Sequence, residues 1–222
     1  VGSEMCIRDR FLPRIKFPFT VGYGMTECGP LISYTPWRKF RVGSSGKVLP
    51  NMEAMILSED PENIPGEICV RGMNVMKGYY KNPEATNLVL DKDGWLKTGD
   101  MGTLSADGTL YLRGRSKTMS LTASGQNIYP EEIEAKLNNM PFVAESLVVE
   151  RDGKLVGLVY PDYEAADRLG VTGPDLQDSM DNICKELNKL VAPYERISRI
   201  ILMPNEFEKT PKRSIKRFLY TQ

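Results

Sequence analysis

The run Gly22-Tyr23-Gly24-Met25-Thr26-Glu27 brings an aromatic ring, two glycines, a hydroxyl and a carboxylate into six consecutive residues. A nucleotide site uses that set of groups: a flat face for the base, backbone that comes close to the ligand, a donor to phosphate and a hard oxygen ligand for magnesium. The same run also reads as a Gly-rich surface turn around a packed tyrosine. Two later segments carry chemistry-bearing residues next to glycine. Trp95-Leu96-Lys97-Thr98-Gly99-Asp100 ends in a carboxylate, and Gly114-Arg115-Ser116-Lys117 offers a guanidinium and an ammonium.

Those residues need a scaffold, and the pattern around them is legible. From Lys47 to Arg115 short apolar stretches alternate with turn signals. Glu67-Ile68-Cys69-Val70-Arg71 reads as a strand, and Asp107-Gly108 between Thr103-Leu104 and Leu110-Tyr111-Leu112 is a strong hairpin signal. Asp93-Gly94 predicts a tight turn before Trp95. A change to mixed helix and strand falls at Arg115 to Lys117. Beyond it Pro130 can open a helix, with Glu131, Glu132 and Glu134 complementing its dipole. Ala144 to Glu150 and Leu155 to Tyr160 read as strands around an Asp152-Gly153 turn. Leu176, Met180, Ile183, Leu187 and Leu190 repeat at helical spacing between Pro174 and Pro193, a stripe that reads as core packing. Arg196 to Met203 is a further strand.

Composition excludes several classes. The 222 residues carry 29 Lys plus Arg against 29 Asp plus Glu, so no net field attracts nucleic acid or an acidic membrane. No apolar run approaches the length of a transmembrane segment. With 0 histidines, a zinc site or a His-based triad has little to build on. Cys6, Cys28, Cys69 and Cys184 form no CxxC pair, and a reducing, cytoplasmic setting is the default.

Taken together and in order, these motifs resemble the adenylate-forming, AMP-binding enzymes: acyl-CoA synthetases, luciferases and peptide-synthetase adenylation domains. Gly66-Glu67-Ile68-Cys69-Val70-Arg71-Gly72 and the stretch from Gly125 to Glu134 add two family-like segments, and the likeness runs from about Phe11 to Tyr220. Gly24-Met25-Thr26-Glu27-Cys28-Gly29-Pro30 most resembles long-chain fatty acid–CoA ligases. The resemblance implies an α/β and α+β fold: residues 11–115 as the β-rich end of a large N-terminal domain, and 116–222 as a small, mobile α/β C-terminal domain. It implies ATP, Mg²⁺ and CoA as cofactors, a fatty acid as substrate, no nucleic acid partner, no transmembrane segment and room for peripheral membrane contact. Making an acyl-adenylate brings two anions together, so such a site needs positioned donors and cations rather than a strong base.

By the same resemblance Tyr23 lies against the adenine, Gly24 is among the cofactor-binding residues, Thr26 binds phosphate and Glu27 holds Mg²⁺. Asp100 accepts hydrogen bonds from the ribose hydroxyls, or is a plain turn aspartate. Arg115 pairs with ribose or phosphate, or is a solvated strand-end charge. Lys117 stands at the hinge between the domains, or on an ordinary surface. Gly125 lines the pantetheine path of CoA, or serves a turn.

One departure stands out: the family's C-terminal Gly-Lys pair is replaced, with Arg213 and Ser214 at its two positions. Ser214 can donate a hydrogen bond but cannot neutralise charge. If the segment is extended, Lys212 and Lys216 share a face with Ser214, and Lys212 becomes the candidate catalytic lysine; a basic, solvated tail is the competing reading. Val1 to Arg10 resemble the translation of a sequencing-library adaptor, with an ordinary N-terminal extension as the competing reading. The expectation is therefore a fragment whose phosphate loop and acyl pocket lie upstream, and which does not complete catalysis as written. Two other functions stay open: adenylation with transfer to a carrier protein, and a non-catalytic binding module.

Overall fold

The computed structural model describes residues 17–121, 126–171, 173–211 and 213–221. The fold is mixed α/β, and it divides into two compact units between Thr118 and Met119.

The first unit is built of antiparallel sheet. Strands β1 (Tyr23–Gly24), β2 (Leu31–Tyr34) and β3 (Lys47–Val48) form one small sheet. Strands β4 (Met52–Leu57), β5 (Gly66–Gly72), β6 (Leu96–Leu104) and β7 (Leu110–Arg115) form a meander in sequence order. Ile68, Cys69 and Val70 are all buried, so β5 is covered on both faces. Ile68 and Val70 pack with Tyr23, Ile32, Leu96 and Leu110 in one core, which ties the two sheets together. The hairpin predicted at Asp107-Gly108 joins β6 to β7, with Gly108 at φ +81° and Leu104 opposite Leu110. Gly94, at φ +82°, makes the turn before Trp95. Helix α1 (Pro83–Val89) is an element that the apolar pattern did not predict. None of its residues is fully buried, and its signal is local: Asn82 caps it by accepting from the Ala85 N–H at 3.0 Å, and Pro83 sits in the first turn.

The second unit contains the ribbon β8 (Ser120–Leu121) and β9 (Asn127–Ile128), and a three-stranded sheet of β10 (Val143–Arg151), β11 (Lys154–Pro161) and β12 (Ile197–Leu202). Asp152 and Gly153 both have positive φ, +53° and +69°, which matches the twist of the flanking strands. Strand β12 returns parallel to β11, and the crossover carries helices α3 (Tyr163–Arg168) and α4 (Gly173–Leu190). The predicted stripe on α4 is buried at Leu176, Met180, Ile183 and Leu187 but not at Leu190, which is 59% exposed; Val191, just past the helix, turns inward instead. Helix α2 (Pro130–Leu137) packs on the same side through Ile133 and Leu137. On the other side, Leu147, Val149, Val156 and Leu158 are covered by Phe207, Ile215 and Tyr220 of the C-terminal segment. Among the described residues, no helix is long and apolar enough to cross a membrane.

One buried ionic cluster fastens that segment. Glu134 of α2 accepts from the Val148 N–H at 2.6 Å, and Arg217 donates to the Val148 carbonyl at 2.9 Å while its other nitrogen reaches the Glu134 carboxylate at 2.8 Å. Strand β10 is an edge, and these two side chains satisfy backbone groups that no neighbouring strand meets. Burial pushes the Glu134 carboxyl up to about 7, against the pull of the Arg217 charge and the Val148 N–H and with the help of Glu131. An unfolded glutamate titrates near pH ~4.3. Between those values the folded unit holds a proton that the unfolded chain has released, so this group's contribution to stability grows as pH falls through about 7. Glu134→Gln removes that contribution. Amide-exchange protection of β10 and β11, corrected for intrinsic rates at about pH 8 and about pH 5.5, should gain on acidification in the parent more than in the variant. Equal gains in both proteins would refute this account.

Candidate nucleotide site

Strand β1 and the short turn after it carry the first motif. Gly24 lies so close to the returning chain that a Cβ there would sit 2.0 Å from the Pro30 carbonyl oxygen, so only glycine fits. The Met25 N–H donates to that same oxygen at 2.7 Å. Thr26–Cys28 form a 3-10 turn in which Thr26 is exposed. Two residues absent from the sequence-based expectations hold this turn in place. The Asn74 side-chain amide donates to the carbonyls of Cys28 at 2.6 Å and Leu31 at 3.0 Å, and the Met76 N–H donates to the Glu27 carbonyl at 2.7 Å. Nothing in the local pattern marks them, because their partners lie more than forty residues away in the chain. The Glu27 carboxylate accepts from the Tyr79 hydroxyl at 3.0 Å.

Asp100 is where the motifs meet. It lies on β6 opposite Arg115 of β7, and Arg115 Nε is 2.8 Å from Asp100 Oδ1. The Tyr23 hydroxyl donates to Asp100 Oδ2 at 2.7 Å. Thr98 holds the strand bend, donating to the Ile68 carbonyl and accepting from the Asp100 N–H at 3.1 Å. Gly99 takes φ +70° and its N–H donates to Glu67. The Tyr23 ring, expected as a face for a base, is only 4% exposed and packs in the core, and its hydroxyl reaches Asp100. Burial, reinforced by the negative charge of Asp100, holds that hydroxyl well above the usual tyrosine range.

The other expected residues are placed less centrally. Lys117 is exposed, in the turn closed by the Thr118 N–H on the Arg115 carbonyl at 3.2 Å. Gly125 and Lys212 lie outside the described residues. Among the described residues on either side of Lys212, the Thr210 N–H donates to the Ser214 carbonyl at 2.8 Å and Arg213 takes φ +60°. Lys209 pairs with Glu145, and Lys216 pairs with Glu208 at 3.0 Å.

This chemistry is one of binding and orientation. Burial pushes the Cys28 thiol up to about 11, with the Glu27 charge adding, and does the same to Cys69, so neither is a thiolate nucleophile near neutrality. Among the described residues, no group of three His, Cys, Asp or Glu could hold a metal by itself. The single Glu27 carboxylate beside the exposed Thr26 instead fits Mg²⁺, which is held by one or two carboxylates together with substrate phosphates.

The buried Tyr23 hydroxyl yields a direct check. In an ultraviolet absorbance titration up to about pH 11, Tyr23→Phe should leave the ionising amplitude unchanged. A loss of amplitude in Tyr23→Phe would show that the hydroxyl is not held in this way.

The chain is similar to known proteins. The AMP-binding enzyme family matches residues 7–80, and its C-terminal domain family matches residues 118–222. "Probable 4-coumarate--CoA ligase 3" of Dictyostelium discoideum is 45% identical over 156 residues, covering 67% of this chain and 28% of the relative. The 4-coumarate:CoA ligase 1 of Petunia hybrida is 35% identical over 218 residues, 92% of this chain and 38% of the relative. The chain thus spans about a third of the length of these curated relatives. Among solved structures, the O-succinylbenzoate coenzyme A synthetase of Bacillus subtilis in complex with ATP and magnesium matches with a TM-score of 0.79 at 28% identity, over 98% of this chain and 44% of that one. ATP-bound MatB of Rhodopseudomonas palustris gives 0.68 at 28% identity, over 89% and 39%. With both family models matched in order, and with Tyr23, Asp100 and Arg115 brought together by the fold, the chain belongs to the adenylate-forming AMP-binding enzymes.

Proposed function

We propose that this chain is part of an acid–CoA ligase that activates a carboxylic acid with ATP and passes the acyl group to CoA. The observation that carries the reading is the convergence of Tyr23 and Arg115, from two separate segments, onto the buried carboxylate of Asp100. In the first step a carboxylate oxygen attacks the α-phosphorus of ATP and the bond to pyrophosphate breaks. In the second the CoA thiol, losing its proton, attacks the acyl carbonyl and AMP leaves with the former carboxylate oxygen. Neither step needs a strong base on the enzyme, in keeping with a site that orients and neutralises.

Within this proposal Asp100, fixed by Tyr23 and Arg115, receives the ribose hydroxyls, and the exposed part of the Arg115 guanidinium meets phosphate. Gly24 lets the backbone approach the nucleotide, Thr26 donates to phosphate and Glu27 holds Mg²⁺, which screens charge on the phosphates when bound. Lys117 is the hinge between a large domain over 11–115 and a small domain over 116–222. Gly125 lines the approach of the pantetheine arm, and Lys212 is the candidate α-phosphate cation. The names of the relatives favour an aromatic propenoic acid such as 4-coumarate as the substrate. A fatty acid is the second reading, favoured by the Gly24 to Pro30 run.

In the complete protein, pyrophosphate release should depend on the added acid, with 4-coumarate turned over faster than a long-chain fatty acid. The opposite order selects the fatty acid reading, and release with no CoA thioester but with acylation of a carrier protein selects transfer to that acceptor. Asp100→Ala should raise the KM for ATP by about tenfold or more, the scale of a lost charge-assisted hydrogen bond. Lys212→Ala should slow adenylation far more than thioester formation. Wild-type KM in the first variant, or equal losses in both half-reactions of the second, would remove the role assigned to that residue.

A further inference from the structure

A cavity bordered by charged side chains lies in the first unit. It has a volume of about 430 Å³, within the range of small-ligand sites, and none of its lining residues belongs to the nucleotide site above. Strand register explains the separation. Tyr23 faces Ser33 across the β1–β2 ladder and both are buried, whereas Tyr34, one residue on, faces Lys47 on β3 with its side chain on the opposite, outer side. Tyr34 and Lys47 both line the cavity.

Its charge is unbalanced. Lys39, Arg41 and Lys47 line it against one carboxylate, Asp107. Asp107 is already engaged: Arg41 Nη2 is 3.0 Å and Lys47 Nζ is 3.5 Å from the same oxygen, Oδ2, and the Thr109 N–H donates to Oδ1 at 3.1 Å. One carboxylate thus orients two cations and neutralises the charge of one. Lys39 makes no ion pair among the described residues. The walls add hydroxyls. Thr35, Ser44 and Thr109 line the cavity and are buried, so their oxygens are presented by the fold rather than by a mobile surface. The loop bearing Arg41 and Ser44 is held close by Gly46, where a Cβ would come 2.6 Å from the Tyr34 carbonyl carbon. At the rim the Tyr34 ring is 43% exposed.

From these groups we propose that the cavity between Tyr34, Lys39, Arg41, Lys47 and Thr109 binds a nucleoside phosphate, with the phosphate on the three cations and the base against Tyr34. A surplus of two positive charges selects a multiply charged anion, and 430 Å³ is more room than a bare phosphate fills. The ring supplies a stacking face. The proposal stands independently of the ligase reading, since it uses none of the residues that reading needs.

The test is amide-resolved NMR of the chain titrated with adenosine 3′,5′-bisphosphate, AMP and pyrophosphate. Saturable shifts are expected in Arg41–Lys47 and Thr109. Lys39→Gln combined with Lys47→Gln should weaken binding at least tenfold and reduce its dependence on salt, with the spectrum otherwise native. Tyr34→Ala should weaken the nucleotides but leave pyrophosphate unchanged. Tighter binding of the bisphosphate than of AMP identifies the nucleotide end of CoA as the natural source; the reverse identifies a free mononucleotide, and either keeps the site. Shifts confined to Gly24–Glu27 and Gly99–Asp100, affinity unaffected by the double lysine variant, or no saturable shift would overturn the proposal. Pyrophosphate binding as tightly as the nucleotides would overturn the part assigned to Tyr34.

Discussion

The first unit is organised around the Asp100 carboxylate. It sits at 8% exposure, where an isolated charge would be costly, and it is tolerated because Arg115 and the Tyr23 hydroxyl meet its two oxygens. Each partner comes from a different strand, so satisfying one charge fixes β1 relative to β6 and β7. Tyr23 in turn carries Gly24 and the turn after it, which Asn74 and Met76 clamp from the far end of β5. The geometry of the whole candidate nucleotide site therefore depends on a single buried carboxylate finding its partners.

The second unit answers a similar demand at a sheet edge. The Val148 N–H and C=O face outward from β10, and Glu134 and Arg217 close them off. That solution draws the last turn of the chain across the sheet, and Phe207 and Tyr220 then stack edge to face at 5.1 Å over its apolar side. Lys209 and Lys216 are committed to carboxylates as the chain is pulled back on itself.

Both units share a chemical temperament. Their buried ionisable groups are paired or held protonated, and the described cysteines are free and buried. Activity of the kind proposed comes from where donors, cations and close backbone lie, and it tolerates a site without histidine. The outer cavity extends the same logic, with Asp107 spending its charge on orienting Arg41 and Lys47.

What could be read from the residues alone was whatever depends on near neighbours in the chain. Asp107-Gly108 and Asp152-Gly153 must turn, because glycine and a short acidic residue reach positive φ cheaply; the α4 stripe must face a core, because its spacing leaves no other way to bury it. The family likeness also came from short contiguous runs, and with it the list of site residues. Tertiary structure decided the rest. It buried the Tyr23 ring and turned its hydroxyl to Asp100, and it left Leu190 in solvent while turning Val191 inward. It recruited Asn74, Met76 and Arg217, whose partners are dozens of residues away. The physical reason is the same in each case: a polar group's partner and a side chain's burial are set by segments that meet only after folding, and no local spacing encodes that meeting.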